Sequence, residues 1–377
     1  MKIVISANTS WYVLNFRKNL ILTLLKAGHQ VFVIAPPDDY VDKLVQLGIK
    51  YHPLELAQRS KNPFREIASC VRLFRLLQTI QPDVVLTFTV KCNLYTGICR
   101  RFIKFGHIAN ISGLGEIFEK DGIINFLVSC LYKFSLAGSN RVFFQNDEDM
   151  KTIIERHLLP KNLCKRIPGS GVDLETYHPA SSPSKNDRRI FLMYGRLVPS
   201  KGYDLFMKAA EDICLSKNYN AEFWIMGIID KSRGESKKLL ERILALQEKG
   251  VIRYLPPSDE VATVLQQVDA VILPSKYNEG VPRSLLEAMA CGKPIITTAW
   301  KGCRDTVEHG LNGYLVDIDD SASLTRYIVE LINAPQQKLR EMGKAGRQKA
   351  EAQFDEKHVL RAYMEEIHER ALSIAAN

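Results

Sequence analysis

Short runs of apolar, often β-branched residues alternate with longer segments of helical period along almost the whole chain. In the first half, Ile3–Ala7, Val31–Ala35, Asp83–Thr87, His107–Ile111 and Arg141–Phe144 read as strands, with Val13–Lys26 and Pro63–Thr79 as helices between them. Such alternation predicts parallel, doubly wound sheets. The pattern pauses at Pro168–Arg189, a stretch rich in Pro, Ser and Gly, and this reads as a linker. It restarts with strands at Ile190–Tyr194, Glu222–Met226, Val251–Leu255, Ala270–Leu273 and Pro294–Thr297, and ends in a charged helix from about Phe354. The expected organisation is an α/β chain with a first domain over 1–170, a linker over 171–189, a second domain over 190–353 and a tail helix over 354–377. Two doubly wound domains joined by one linker are expected to face a deep central cleft, because ligands of such sheets bind beyond the carboxyl ends of the strands.

A length of 377 residues, 46% of them apolar, exceeds one ordinary core and suits two. The net charge of +9 is unevenly placed. Residues 1–170 hold 23 Lys and Arg against 13 Asp and Glu, whereas residues 171–377 hold 28 against 29. A basic half fits nucleic acid, an anionic lipid surface or an anionic substrate, or is simply a solvated surface. Nucleic acid fits least, since no zinc-finger spacing, RNA-recognition strand motif or long Lys/Arg run is present. The eight cysteines form no C-x-x-C pair and no His cluster accompanies them, which suits a reducing cytoplasm. The opening MKIVISANTSW turns polar too soon for a signal peptide and reads as a buried strand. No run reaches the roughly 18–20 apolar residues of a spanning helix. The nearest, Ile123–Ala137, is interrupted by Asn125, Ser129 and Lys133. Burial is its favoured reading, ahead of a helix lying in a membrane interface.

The chemistry concentrates in Ser275–Pro294, SKYNEGVPRSLLEAMACGKP. Glu279 falls in the loop after strand Ala270–Leu273, and Glu287 falls eight positions later in a helix that starts near Pro282. Gly280 lets the backbone approach a ligand, and the amides of Gly280–Ser284 open a helix N-terminus able to hold a phosphate. Glu287 sits among Ala288, Met289, Ala290 and Cys291, so its carboxylate needs partners. Two carboxylates so placed suit a polyhydroxylated ligand with an anionic middle. The second motif, Tyr194–Gly202, YGRLVPSKG, puts Arg196 and Lys201 on a strand-to-helix loop, where two cations suit a diphosphate.

Together, GRLVPSKG and EGVPRSLLEAMACGKP, with LP before the latter and GLNGYLV after it, resemble the retaining glycosyltransferases of family 4, which have the GT-B fold. Glu279-x7-Glu287 matches their E-x7-E signature. The resemblance implies that Arg196 and Lys201 neutralise a donor diphosphate, Glu279 touches the transferred sugar and Glu287 the ribose. It places Gly280, Val281 and Ser284 near the phosphates and sugar, and Gly227 near the base and ribose. The tail helix then crosses back to the first domain.

In the first half, three strand-ending loops share one rim: Asn15-Phe16-Arg17, Thr87–Gly97 with Lys91 and Asn93, and Asn110–Gly115 with Ser112 and Gly113. Arg17 and Lys91 are the cations there for an anionic acceptor. NISGLG is no dinucleotide fingerprint, so hydride chemistry is excluded. The set resembles the family 4 subgroup that extends sugars on polyprenyl diphosphate, including bacterial enzymes that add N-acetylgalactosamine to a lipid-linked acetamido sugar. That resemblance implies a UDP-sugar donor, a lipid-linked acceptor, and a cytoplasmic enzyme peripheral on the inner face of an anionic cell membrane. The competing readings are a GT-B transferase acting on a soluble sugar and a non-catalytic nucleotide-sugar binder.

Some family members carry a His in the loop matched by Thr89–Lys91; this chain does not, so no side-chain general base stands out. Glu116 is a weak candidate, and His107 reads as structural. Members of the family are thought to let the leaving phosphate oxygen take the acceptor proton, which leaves positioning and charge stabilisation to the protein. No cofactor is expected. No metal is expected either: Asp147-Glu148-Asp149 opens a helix, where acids favour the dipole.

Overall fold

The computed structural model describes residues 1–56, 62–115, 118, 122–180, 188–216, 218–229 and 234–375. The chain divides into two compact units, Met1–Ser170 with Lys357–Asn377, and Gly171–Glu356.

The first unit runs β1 (Lys2–Ser6), α1 (Ser10–Lys26), β2 (Gln30–Ala35), α2 (Val41–Val45), β3 (Lys50–Pro53), α3 (Pro63–Ile80), β4 (Val84–Thr87), α4 (Val90–Cys99), β5 (Gly106–Ile111), α5 (Ile123–Leu136), β6 (Arg141–Phe144), α6 (Asp147–Glu155) and β7 (Cys164–Arg166). Among the described residues its sheet has seven parallel strands in the order β3-β2-β1-β4-β5-β6-β7. Central strands are buried on both faces, which is why they read as unbroken apolar runs. Local signals start the helices: Thr9 caps α1 by accepting from the Tyr12 amide, and Asn62 caps α3 ahead of Pro63. The edge strands β3 and β7, KYHP and CKR, carry too few β-branched residues to announce themselves.

The second unit runs β8 (Arg189–Arg196), α7 (Tyr203–Ser216), β9 (Ala221–Ile228), α8 (Gly234–Glu248), β10 (Arg253–Leu255), α9 (Val261–Gln267), β11 (Ala270–Leu273), α10 (Arg283–Ala290), β12 (Ile295–Thr298), α11 (Lys301–Arg304), β13 (Gly313–Val316), α12 (Ser321–Asn333) and α13 (Gln336–Lys349). Its described strands are parallel in the order β10-β9-β8-β11-β12-β13. That is the order of a dinucleotide-binding sheet. The last helix, α14 (Glu356–Ala375), belongs to the first unit. There Tyr363 packs on Phe88 and Phe143 and accepts a hydrogen bond from Asn110.

Two expectations change. Residues 171–180 are not a loose linker: Val172 is fully buried in the second core and bonds Phe354 and Glu356, while 181–187 lie outside the described residues. Gly171, at φ +71°, has the Glu356 backbone where a Cβ would stand. Helix α5 is buried only in part, sending Tyr132 and Leu136 into the core and leaving most of its other apolar side chains outside. Ile123, Ile124, Phe126 and Leu127 are 79, 72, 67 and 59% exposed, and Asn125, Ser129, Tyr132 and Ser135 face inward. The physical reason is close packing against α4. A side chain at Gly97 would overlap the Ser135 carbonyl, so small and polar residues make that contact.

Candidate active site

In the second unit the strand order reverses between β8 and β11, and the loops leaving these two strands open a crevice beyond their carboxyl ends. The β8 loop carries Arg196 and Lys201, and the β11 loop carries Glu279, Gly280 and Val281 before entering α10 with Ser284 and Glu287. The sheet therefore delivers the residues singled out from sequence to one edge.

The two loops are joined. Lys276 N donates to the Ser200 carbonyl at 2.9 Å. At Gly202, φ is +83° and a Cβ would overlap the Pro274 carbonyl, so only glycine fits. Lys201 closes the short turn Pro199–Lys201 and is thereby aimed at Glu279, with Nζ 2.9 Å from Oε1. Ser275 Oγ donates to the same oxygen at 3.2 Å. Lys201 is buried and Arg196 exposed, so the two cations present different faces to a ligand. The neighbouring strand and α11 fix the acidic loop: the Thr298 hydroxyl donates to the Ser275 carbonyl, and Trp300 Nε1 donates to Asn278 Oδ1 at 3.0 Å. Gly302 lies so close to Gly280 that any Cβ would overlap its carbonyl.

Glu287 has the partners its burial demands. Arg283, one helical turn earlier, places Nε 2.9 Å from Oε1. The Tyr194 hydroxyl lies 2.9 Å from Oε2 and 2.8 Å from the Ser284 carbonyl, so one proton is shared between two acceptors. Burial and the Glu287 charge push the Tyr194 phenol well above its ordinary pKa, and the Tyr177 phenol shifts upward for the same two reasons. Both stay protonated donors at neutral pH. Burial opposes the charge on Arg283, but Glu287, Tyr177 and Glu356 together outweigh it and raise the pKa. Gly227, at the end of β9, packs against Leu197, and its carbonyl accepts from Tyr254 Oη at 3.3 Å. Sequence reasoning missed Tyr177, Tyr194, Ser275 and Arg283. Only the Arg283–Glu287 spacing of four offered a signal.

In the first unit the order reverses between β1 and β4. Arg17 is buried, with its guanidinium carbon 4.1 Å from the Phe88 ring centre, Nη2 3.2 Å from the Tyr12 hydroxyl, and Nε without a hydrogen-bond partner. Lys91 instead turns to α3, with Nζ 2.8 Å from Glu66, which also takes the Tyr95 hydroxyl. Asn15 spends its amide on the Trp11 carbonyl at 2.9 Å. Asn93 is buried and donates to the Asn110 carbonyl at 2.8 Å, leaving its Oδ1 unpartnered. Ser112 is exposed and Gly113 half-buried after β5.

His107 is fully buried, its ring nitrogens each 2.9 Å from the hydroxyls of Thr87 and Ser139. Burial, with help from the Arg100 charge, lowers its pKa to about 3, so it is a neutral structural group. Glu116 lies outside the described residues. Asp149 Oδ2 accepts from the Leu114 amide at 3.2 Å and from Asn146, while Asp147 pairs with Arg166 at 3.3 Å. Among the described residues no group of three or more His, Cys, Asp or Glu is placed to hold a metal.

The family of Glycosyl transferases group 1 matches residues 175–349, and the Glycosyl transferase 4-like family matches residues 2–146. The N,N'-diacetylbacillosaminyl-diphospho-undecaprenol alpha-1,3-N-acetylgalactosaminyltransferase of Campylobacter jejuni is 26% identical over 97% of each chain. The UDP-Gal:alpha-D-GlcNAc-diphosphoundecaprenol alpha-1,3-galactosyltransferase of Escherichia coli is 23% identical over 78% of this chain and 77% of its own. Among solved structures, Anabaena HepE in complex with UDP and glucose superposes with a TM-score of 0.80 at 18% identity, covering 98% of this chain and all of HepE. The chain belongs to the group 1, family 4-like glycosyltransferases and has their GT-B fold.

Proposed function

We propose that this glycosyltransferase moves a hexose or N-acetylhexosamine, N-acetylgalactosamine foremost, from a UDP-sugar to a polyprenyl-diphosphate-linked sugar, with retention at the anomeric carbon. The observation that carries the donor half is the Lys201–Glu279 pair held at the strand reversal of the second unit. An ammonium has three donors, so with one given to Glu279 two are left for phosphate oxygens. Arg196 adds an exposed cation at the end of the same strand. Glu279, held by Lys201 and Ser275, accepts from a sugar hydroxyl, and Glu287, fixed by Arg283 and Tyr194, accepts from the ribose. Charge stabilisation of the departing diphosphate by Lys201 and Arg196 is the main contribution to rate. Its phosphate oxygen takes the acceptor proton, so neither a side-chain base nor a metal is required.

The acceptor half rests on the surplus of Lys and Arg over 1–170, on Arg17, and on the lipid-diphosphate substrates in the names of the Campylobacter jejuni and Escherichia coli relatives. Such an acceptor sets the work at the inner face of the cell membrane. The decisive experiment is a panel of nucleotide-sugars assayed against polyprenyl-diphosphate-linked acetamido sugars. Transfer from a UDP-N-acetylhexosamine, with the product linkage determined by NMR, is the expected result. Transfer only to free sugars, or inversion at the anomeric carbon, sinks this reading.

A further inference from the structure

The first unit exposes large apolar side chains that its core does not use. On α5 these are Ile123, Ile124, Phe126, Leu127 and Phe134, and Leu131 joins them at 38% exposure. On α3 they are Phe64, Ile67 and Val71, and after α4 comes Phe102 at 76% exposure. Side-chain contacts connect the three groups. Arg101 donates through Nη2 to the Phe134 carbonyl at 2.6 Å and lies 4.2 Å from the centre of its ring. The next residue, Phe102, meets Phe74 of α3 edge-to-face at 6.2 Å. Helices α3 and α5 both pack on α4, so the exposed residues lie on adjoining segments of one helical layer, linked through Arg101 and Phe102. Scattered apolar residues need no explanation, but a contiguous patch of this kind marks an interaction surface.

Charge identifies what covers it. The exposed cations on and beside this face are Arg65, Arg72, Arg75, Arg101, Lys104 and Lys133. Helix α5 carries no acid. The Glu66 of α3 is taken by Lys91 and Tyr95, and Glu55 stands 3.9 Å from Arg72. Aromatic and aliphatic tips surrounded by Lys and Arg match the interface of an anionic bilayer, where rings settle at headgroup level and long basic side chains reach phosphates. A protein partner would instead need matching acids around an apolar centre. No described helix is long and apolar enough to cross a membrane, which leaves shallow insertion from one side.

We infer that α3, the segment 101–104 and α5 form a docking platform for an anionic lipid surface, with Phe126, Leu127, Phe102, Phe64 and Ile67 as its inserting residues. This deepens the proposed function by naming the face of the first unit that meets the membrane, and it rests on that reading only for its purpose. Arg101 has a particular part: its bond to the Phe134 carbonyl and its position over the ring tie the exposed end of α4 to α5.

The test uses the full chain and sedimentation with vesicles of phosphatidylcholine alone or mixed with phosphatidylglycerol. The wild type should bind the mixed vesicles, release them in high salt, and bind the neutral ones at least about tenfold more weakly. Phe126→Ser with Leu127→Ser, and separately Phe64→Ser with Ile67→Ser, should each weaken binding by about tenfold or more. All four side chains are exposed, so the melting temperature should not move, and a circular dichroism melt checks this. Equal binding to neutral and anionic vesicles, or vesicle binding untouched by both double variants, overturns the platform. So does a wild-type dimer in sedimentation equilibrium that these substitutions dissociate without any vesicle binding. Transfer to a short-chain, water-soluble diphosphate-linked sugar separates the two ideas. If that transfer occurs without vesicle binding, the platform fails and the enzyme reading stands. If vesicles bind and no polyprenyl-diphosphate sugar is ever a substrate, the platform stands alone.

Discussion

Lys201 Nζ and Glu279 Oε1 stand 2.9 Å apart, although 78 residues separate them and sequence motifs assign them to different parts of a donor. Their side chains are only 9 and 13% exposed, so water screens the pair little. The ammonium is thereby held in place before a ligand arrives. Lys201→Ala should lower transfer by at least about tenfold, since a charge-assisted contact is worth roughly 1.5–3 kcal/mol. Initial rates over a range of UDP-sugar concentrations measure it. Unchanged turnover removes the diphosphate clamp.

Glu287 and Arg283 make a second buried pair, and here removal of the carboxylate takes away the main counter-charge of the guanidinium. Glu287→Ala takes from a buried guanidinium and a phenol the carboxylate they share, with an expected loss of about 3–5 kcal/mol in unfolding free energy. Tyr194→Phe, which deletes one shared hydrogen bond, should cost about 1 kcal/mol. Urea denaturation of the three proteins checks the ranking. A Glu287→Ala chain as stable as Tyr194→Phe means that Arg283 has found another acceptor.

Sequence made the fold class and the donor loops legible because both are local. Central strands buried on two faces read as apolar runs, and E-x7-E fixes a loop and a helix within ten residues. What escaped was non-local. Tyr194 reaches Glu287 across 93 residues, and the Lys201–Glu279 contact needs the joining of two loops at Gly202 and Pro274. The α5 surface was misjudged for a related reason. Composition cannot tell which face of an apolar helix is turned inward, and here Gly97 selects the polar one by admitting Ser135 so closely.

Arg17 and Lys91 should now separate in kinetics. Lys91 is compensated by Glu66, whereas Arg17 Nε has no partner and the guanidinium rests on Phe88. Arg17→Met should raise the KM for the acceptor by about tenfold while the donor KM holds, by loss of one charge-assisted contact. Lys91→Met should change either constant by less than about threefold, because its charge is already engaged by Glu66 rather than offered to a ligand. A rise confined to the donor KM in Arg17→Met would mean that the first unit serves the donor.

His107 gives the protein an acid-sensitive point. Its folded pKa, about 3, lies below the ordinary 6.5, so the unfolded chain binds the extra proton throughout that window. Stability therefore falls as pH drops from about 6.5 towards 3, by at most about 1.4 kcal/mol per pH unit from this group. Above pH 6.5 the contribution is fully present. Urea midpoints between pH 4 and 7 should show a shallower slope in His107→Gln than in wild type. An identical slope would assign the acid sensitivity to other groups.

Gly302 tests whether the acidic loop is positioned by the helix that follows β12. A single methyl group there would overlap the Gly280 carbonyl, which is backbone and has no rotamer to escape into. Gly302→Ala must then displace the segment between Glu279 and Val281, by a fraction of an ångström to about 1 Å, and misplacement on that scale costs up to about a hundredfold in rate. The expected pattern is a raised donor KM together with a lower kcat, with the acceptor KM unchanged. Glycine is the only residue that fits, so Gly302→Ser should behave no better than Gly302→Ala. If both variants transfer sugar like the wild type, α11 does not position the loop, and the contact between Gly302 and Gly280 is incidental to the reaction.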